Sequence, residues 1–154
     1  MIKTIACEIK SDYDKAKVVV KDYIKWLNVD LKFQNIDSEM ISFDEMYGGN
    51  TGAFVLIQNA ETVLGGVGIR KLSDEICEIK RMFIYNEYRG KGYGILLGKA
   101  AITVGKELGY TFMRLDTIKR LVAANRLYEK LGFSDIAAYR ENPDPTARYM
   151  EVKL

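Results

Sequence analysis

The sequence feature that most constrains this chain is a glycine-rich turn between an apolar segment and an amphipathic one. Residues 82–97 read MFIYNEYRGKGYGILL, so that Gly90, Gly92 and Gly94 have hydrophobic residues on both sides. The apolar residues before the turn indicate a buried strand, and the helical spacing after it indicates an amphipathic helix. The turn therefore joins a strand to a helix, and the rest of the chain is interpreted around that junction.

This turn has the properties of an anion-binding loop. Glycine lets backbone N–H groups approach a ligand closely, and a helix N-terminus adds unpaired donors and the positive end of a dipole. Arg89 and Lys91 add full positive charges, so the expected ligand is a phosphate or pyrophosphate. The alternative is that the glycines serve only as turn residues. The spacing matches neither the loop of P-loop NTPases nor the dinucleotide pattern G-x-G-x-x-G.

The composition excludes several classes of protein. The chain has 154 residues, 48% of them hydrophobic and 29% charged, so we expect one globular domain spanning residues 1–154. A net charge of +2 without a basic block argues against nucleic acid as a partner. The charged N-terminus is unlike a signal peptide, and the apolar runs are too short to span a membrane, so we expect a soluble, cytoplasmic protein without a membrane partner.

Two residue types narrow the possible chemistry. Histidine is absent, which excludes His-based triads, His-ligated zinc and imidazole bases. Cys7 and Cys77 have no metal-ligand spacing and form no disulfide framework, so we expect no metal site and a reduced protein. Any acid–base step must use carboxylates, tyrosine, lysine, cysteine or water.

The hydrophobic periodicity predicts strands and helices that alternate around one sheet, which indicates an α/β sandwich. Strands are expected over residues 2–10, 53–59, 62–71, 75–84, 110–117, 133–140 and 148–154. Helices are expected over residues 11–27, 92–108 and 119–131, the first opened by a cap at Ser11 and Asp14. Residues 28–52 are irregular, although residues 37–41 are compatible with a short helix. Gly65, Gly66 and Gly68 predict a bulge or a close backbone approach inside a strand.

The turn also resembles a known motif. Arg89, Gly92 and Gly94 match the R/Q-x-x-G-x-G/A signature of the GNAT superfamily of N-acetyltransferases, whose loop amides hold the pyrophosphate of acetyl-coenzyme A. Residues 77–84, CEIKRMFI, resemble the fourth strand of that family. Residues 124–133, ANRLYEKLGF, resemble its motif B helix, and the order of elements matches over nearly the whole chain. The tail over residues 139–150 resembles an uncharacterised bacterial subgroup.

The resemblance implies a fold, a cofactor and a set of site residues. The implied fold is α/β, with a mixed, mostly antiparallel central sheet flanked by helices, and the implied co-substrate is acetyl-coenzyme A. Glu78 corresponds to the catalytic base of several members, although others use ordered water. Tyr128 corresponds to the acid that protonates the departing sulfur, and otherwise it is a core tyrosine. The implied cofactor-binding residues are Met82, Phe83, Ile84, Arg89, Gly90, Lys91, Gly92, Tyr93, Gly94, Ile95 and Asn125.

Some of these roles have open alternatives. Backbone N–H groups of residues 82–84 would polarise the thioester carbonyl, and Asn125 either contacts the cofactor or is a solvated helix residue. The implied activity is acetyl transfer to a primary amine, small molecule or peptide, by a monomer or homodimer. A non-catalytic module that binds acyl-coenzyme A is the alternative, and an unrelated nucleotide-binding protein does not fit the motif B run.

The acceptor is expected to lie between residues 28–50 and the loop at residues 142–146. The first segment is acidic, which suits a cationic amine, although solvated loop charges explain the acidity equally well. The acidic residues are Asp30, Asp37, Glu39, Asp44 and Glu45.

Overall fold

The computed structural model describes residues 1–28 and 36–154. The strands are β1 (Ile2–Ala6), β2 (Ala53–Asn59), β3 (Thr62–Lys71), β4 (Ile76–Ile84), β5 (Phe112–Thr117), β6 (Ser134–Ile136) and β7 (Arg148–Lys153). The helices are α1 (Lys10–Leu27), α2 (Ile36–Ile41), α3 (Phe43–Met46), α4 (Tyr93–Glu107) and α5 (Val122–Lys130). A short 3-10 helix at Asn86–Tyr88 connects β4 to the glycine turn.

The strands form a seven-stranded sheet in the order β1-β2-β3-β4-β5-β7-β6. Every neighbouring pair is antiparallel except β4 and β5, which are parallel. Helices cover both faces, and the predicted fold, an α/β protein with a mixed, mostly antiparallel sheet flanked by helices, is confirmed.

Two hydrophobic cores lie on opposite faces of the sheet, because successive side chains of a strand alternate between faces. On β2, Val55 and Ile57 pack into the core beneath α4. Phe54 and Leu56 pack instead into an aromatic-rich core with α1 and α3. This alternation leaves β2 buried on both faces over its apolar run from Phe54 to Ile57.

The sheet splits between β4 and β5. The two strands pair only over Ile76–Phe112, Cys77–Met113 and Glu78–Arg114, after which β4 continues to Ile84 without β5 beside it. One edge of the second half of β4 is therefore free of strand hydrogen bonds. A gap of this kind leaves backbone N–H and C=O groups available to a ligand.

A bulge reorients β4 just beyond the split. Gly66 pairs with Phe83 and Gly68 with Lys80, so that Val67 of β3 lies opposite two residues of β4. Arg81, one of those two, has φ +58°. The glycines opposite are close to neighbouring groups, since a Cβ on Gly68 would lie 2.5 Å from the Tyr47 ring. The predicted bulge at these glycines is therefore confirmed.

Several predicted boundaries are wrong: the strand predicted over residues 2–10 ends at Ala6, and the helix predicted over residues 119–131 begins at Val122. The first helix begins at Lys10, and its N-terminus is capped by the Asp12 carboxylate, which accepts from the N–H groups of Glu8 and Ile9 at 3.0 and 3.3 Å. The strand predicted over residues 133–140 is only Ser134–Ile136, because the residues after Ile136 contact β4 and β5 instead of continuing along β7. The irregular segment contains α2 and α3 in its described part.

The close approach at Gly68 predicts a stability effect. A methyl group there would overlap the buried Tyr47 ring, so we expect Gly68→Ala to lower the free energy of unfolding by about 1–3 kcal/mol. Thr62→Ala, at an exposed position of the same strand, should change it by less than about 0.5 kcal/mol. Urea unfolding of both variants measures the difference, and equal midpoints would contradict the packing argument.

Candidate active site

The glycine turn follows β4 directly and is held in a conformation that suits glycine. Gly90 and Gly92 have φ +76° and +85°, and a Cβ on either residue would meet no atom within 4 Å. Gly92 is the N-cap of α4, so the N–H groups of Tyr93, Gly94 and Ile95 belong to the first turn of the helix, where intrahelical partners are missing. The turn therefore presents backbone donors and open space on the same side.

The motif predicts that Arg89 contacts phosphate, but in the structure its side chain contacts other groups of the protein. Its Nε donates to the carbonyl of Ile84 at 2.8 Å, and its guanidinium lies 4.5 Å from the centre of the Trp26 ring. The Phe83 ring, which is next to Trp26, lies 5.4 Å from the same guanidinium, and burial lowers the pKa of the guanidinium. Arg89 thus fastens the end of β4 to α1, and a role in binding phosphate stays a prediction.

A cavity of about 390 Å³ begins at the turn and extends into the split between β4 and β5. Its walls come from the end of β4, the turn, the first residues of α4, the β5–α5 connection, α5 and one face of α1. Of the predicted site residues, it is lined by Met82, Phe83, Ile84, Arg89, Gly90, Gly92, Tyr93, Gly94 and Tyr128. Glu78, Lys91, Ile95 and Asn125 do not line it.

The lining also includes residues that the sequence analysis did not identify. These are Tyr23, Trp26, Tyr88, Arg120, Leu121, Val122, Ala123, Ala124 and Leu127. Nothing local in the sequence indicates that α1 reaches the cavity. Arg120 spans the opening, since its Nη2 donates to the carbonyl of Leu27 at the end of α1.

The free edge of β4 supplies backbone donors to the cavity. Alternate residues of a strand direct their N–H and C=O groups to opposite edges. Tyr85 N–H bonds to the Leu64 carbonyl on the β3 side, whereas the Ile84 carbonyl is taken by Arg89 on the other side. The N–H groups of Met82 and Ile84 therefore point toward the split.

Tyr128 lies on the wall of the cavity and is 6% exposed. Its ring packs edge-on against Phe133 at 5.9 Å, and the described part of the chain offers its hydroxyl no hydrogen-bond partner. Burial, reinforced by Tyr23 and Asp116, raises the pKa of this phenol well above its usual range. The phenol is therefore protonated at neutral pH and is available as a donor to a ligand.

Asn125, one turn before Tyr128, supports the loop next to the cavity. Its Nδ2 donates to the carbonyl of Ile118 at 3.1 Å, and its buried Oδ1 has no partner among the described residues. The side chain thus fixes the β5–α5 connection and is not a solvated helix residue. Contact with a cofactor stays a prediction.

Glu78 is fully buried and is surrounded by cations and a phenol. Oε1 accepts from Arg70 Nε at 2.9 Å, and Oε2 accepts from Tyr139 at 2.6 Å and from Arg140 Nη2. Burial alone would raise the pKa of the carboxyl, but the charges of Lys80, Arg140 and Arg70, with the Tyr139 bond, lower it below its usual value. A base role for Glu78 stays a prediction, and these contacts do not favour it.

The next residue on this face, Lys80, is also buried. Burial, together with the nearby Arg81 charge, lowers the pKa of its ammonium group to about 8. Sequence reasoning gave it no role, because a lysine in a strand is ordinarily solvated.

The acidic residues that suggested a cationic acceptor do not line the cavity, as far as the structure describes them. Glu39 forms a bidentate ion pair with Arg81, both bonds at 3.0 Å, and Asp44 pairs with Lys17 at 3.3 Å. Asp37 and Glu45 are exposed, and Asp30 lies outside the described residues. Among the side chains that line the cavity, the charged ones in the described chain are Arg89 and Arg120.

The residues that the structure describes contain neither a candidate metal centre nor a candidate membrane span. No cluster of three or more histidine, cysteine or acidic residues there could hold a metal ion. No helix there combines the length and hydrophobicity needed to cross a bilayer.

Comparison with known proteins gives consistent matches. The sequence pattern of the acetyltransferase (GNAT) family matches residues 20–133. The chain is 34% identical to the uncharacterized N-acetyltransferase C1271.07c of Schizosaccharomyces pombe, over 99% of this chain and 95% of the relative. An acetyltransferase of the GNAT family from Staphylococcus aureus superposes with a TM-score of 0.79 at 20% identity, over 99% of both chains. The putative acetyltransferase yncA of Salmonella typhimurium, solved with its cofactor acetyl-CoA, superposes with a TM-score of 0.70 at 14% identity, over 99% of this chain and 94% of that one.

The Glu78 contacts predict a pH dependence of stability. A carboxyl whose pKa is lowered on folding stabilises the fold above its unfolded pKa, near 4.5, and this stabilisation is lost as the pH falls through the folded value. Glu78→Gln leaves two partly buried arginines without their counterion, so we expect it to lower the free energy of unfolding by about 3 kcal/mol at pH 7.

The difference in free energy of unfolding between wild type and Glu78→Gln should become smaller as the pH falls below 4.5. Urea unfolding of both proteins from pH 7 down to pH 3 measures this difference. A difference that does not change with pH would show that Glu78 is not ionised in these contacts.

Proposed function

The chain belongs to the acetyltransferase (GNAT) family, and we propose that it transfers the acetyl group of acetyl-coenzyme A directly to a primary amine of a small molecule or peptide. The observation that carries this proposal is the Tyr128 hydroxyl, a protonated donor on the cavity wall that has no partner within the described chain. The bound acetyl-CoA of the Salmonella relative supports the choice of co-substrate.

The residues of the turn fit the phosphates of this co-substrate. The space beside Gly90 and Gly92 is open, and the first residues of α4, Tyr93 and Gly94, line the same cavity as these glycines. Oxygen atoms of a pyrophosphate would accept from these amides and gain from the helix dipole. Lys91 is exposed beside the turn and would add a screened positive charge.

Acetyl-coenzyme A would supply an activated thioester, and the chain would supply three contributions around it. The N–H groups of Met82 and Ile84 would donate to the thioester carbonyl as charge develops on its oxygen. Tyr128 would give its proton to the departing sulfur, and the proton that the amine loses as it becomes an amide would restore the neutral phenol. The apolar walls from Phe83, Trp26 and Leu127 would exclude water and align the two reactants.

A second candidate function is a module that binds acyl-coenzyme A without turnover. It is favoured by one observation, namely that no carboxylate lines the cavity in the described chain. In an acetyltransferase the Tyr128 hydroxyl would contribute to turnover, whereas in a binding module Tyr128 would contribute only to packing.

We also propose that the protein works in the cytoplasm, as a monomer or homodimer, without nucleic acid or membrane as a partner. The net charge of +2 supports this, as do two free, buried cysteines. Burial raises the pKa of the Cys7 and Cys77 thiols to about 12, which keeps them unreactive.

Substitutions in the turn test the binding site. The Cβ of Gly94 would already lie 3.4 Å from Leu127, so the branches of valine would occupy the space where we place the cofactor. We expect Gly94→Val to weaken acetyl-coenzyme A binding at least about 100-fold, an effect of the size of several lost contacts. Lys99→Ala, on an exposed position of α4, is the control and should bind normally. Calorimetry measures both affinities, and normal binding by Gly94→Val would contradict the site.

Tyr128→Phe distinguishes the two functions. Phenylalanine keeps the ring but lacks the proton, so we expect the affinity for acetyl-coenzyme A to persist while kcat falls about 10²–10⁴-fold. The matched control is Tyr110→Phe, which removes a buried hydroxyl that donates to Thr51 at 2.6 Å. The control should lose about 1 kcal/mol of stability with kcat unchanged.

The assay is release of free thiol from acetyl-coenzyme A over a panel of amines, amino acids and peptides. Unchanged turnover in Tyr128→Phe would make this residue a core tyrosine. Cofactor binding without acetyl transfer to any amine of the panel would favour the binding module.

A further inference from the structure

The segment between β6 and β7, residues 137–147, crosses the split in the sheet without forming a strand or helix of its own. Tyr139 and Arg140 reach Glu78 on β4, and Asn142 Nδ2 donates to Asp116 on β5 at 3.1 Å. Thr146 Oγ1 accepts from the backbone of Lys119 at 3.2 Å. The segment is therefore attached to both sides of the split by side chains.

Glu78 is the point at which these attachments converge on β4. Its two oxygens accept three hydrogen bonds, from Arg70 on β3 and from Tyr139 and Arg140 in the segment. The centre of the Tyr139 ring also lies 5.4 Å from the guanidinium group of Arg114 and 5.3 Å from that of Arg140. Tyr149 OH donates to the Arg140 carbonyl at 2.9 Å and holds the backbone there.

The segment also approaches the cavity. Thr146 bonds to Lys119, the neighbour of Arg120, and Arg120 lines the cavity. The C-terminal end of the segment therefore adjoins the β5–α5 connection, which is part of the cavity wall. A shift of the segment would alter the cavity at this place.

We propose that Glu78 is a positioning residue: it locks residues 137–147 across the β4–β5 split, and the locked segment borders the acceptor site beside the cavity. A general base needs a free lone pair within reach of the substrate proton, and it must exchange that proton with solvent. Glu78 has no exposed surface, does not line the cavity and has both oxygens bonded. Its carboxylate stays ionised and bound throughout, and it acts on the acceptor only through Tyr139 and Arg140.

The first test measures how readily residues 137–147 detach from the sheet, and it does not depend on the proposed function. A glutamate-specific protease cuts after Glu141, and cutting requires the segment to detach from the sheet. We expect Glu78→Gln and Tyr139→Phe each to speed this cut about tenfold, relative to the cut after Glu129 in α5. Tyr139→Phe keeps the ring contacts, so it provides the test should Glu78→Gln fold poorly.

Glu39→Gln is the matched control. It removes the charge of another buried carboxylate that binds an arginine of β4, but Glu39 lies in α2 and does not contact the segment. It should lose comparable stability and leave the relative rate of the Glu141 cut unchanged. An equal increase in Glu39→Gln would show general destabilisation and overturn the proposal.

The second test rests on the proposed function and uses the best amine found in the thiol-release panel. We expect Glu78→Gln and Tyr139→Phe to raise the KM for that amine about tenfold, with kcat within about threefold, and the KM for acetyl-coenzyme A unchanged. The ascending limb of the pH–rate profile should persist. A fall in kcat of about 10²–10⁴-fold with loss of that limb, at a normal rate of proteolysis, would make Glu78 the base and overturn the proposal. If no amine is acetylated, the proposed function fails and proteolysis alone decides the role of Glu78.

Discussion

The parallel pairing of β4 with β5 stops after Glu78 and Arg114, and the candidate site depends on this interruption. Where the strands separate, β4 keeps β3 on one side and presents unpaired backbone groups on the other. The cavity fills the gap, with the glycine turn at one end and Tyr128 on its wall. A continuous sheet would leave no room for a ligand between the turn and α5, and it would use the N–H groups of Met82 and Ile84 internally.

The interruption has an energetic cost that buried ion pairs offset. Arg81 at the bulge has φ +58°, a left-handed conformation that costs a residue with a Cβ roughly 1–2 kcal/mol. Its guanidinium is held in that position by Glu39, in a bidentate pair that is almost fully buried. Glu78 precedes Lys80 on β4, and it likewise binds arginines, namely Arg70 and Arg140. Each carboxylate is used to hold backbone in place, and removing either would leave buried positive charge unpaired.

The parts that the sequence predicts well are those that depend on neighbours along the chain. The glycine turn, the start of α4 and the β2–β3 hairpin follow from residue type and spacing within a few positions. The contacts of Arg89 could not be predicted in this way, because its partner Trp26 is far away in the sequence. Nor could the burial of Glu78, since its partners Arg70 and Arg140 come from β3 and from the segment before β7. The strand predicted over residues 133–140 failed for the same reason, because side-chain contacts to other strands replace pairing along β7.

The absence of histidine is consistent with chemistry in a cavity of this kind. Under the proposed function, an acceptor that enters as a free amine loses one proton and the departing sulfur gains one, so the overall transfer is proton-neutral. The cavity then needs a donor at the sulfur more than it needs a strong base in its wall. Burial makes Tyr128 a poor acid in the ground state by raising the pKa of its phenol. The same burial brings no penalty while the phenol is neutral, and it strengthens the hydrogen bond to a sulfur that is becoming negative. A buried phenol therefore contributes mainly in the transition state. A histidine acting as the acid would instead have to carry a positive charge already in the ground state.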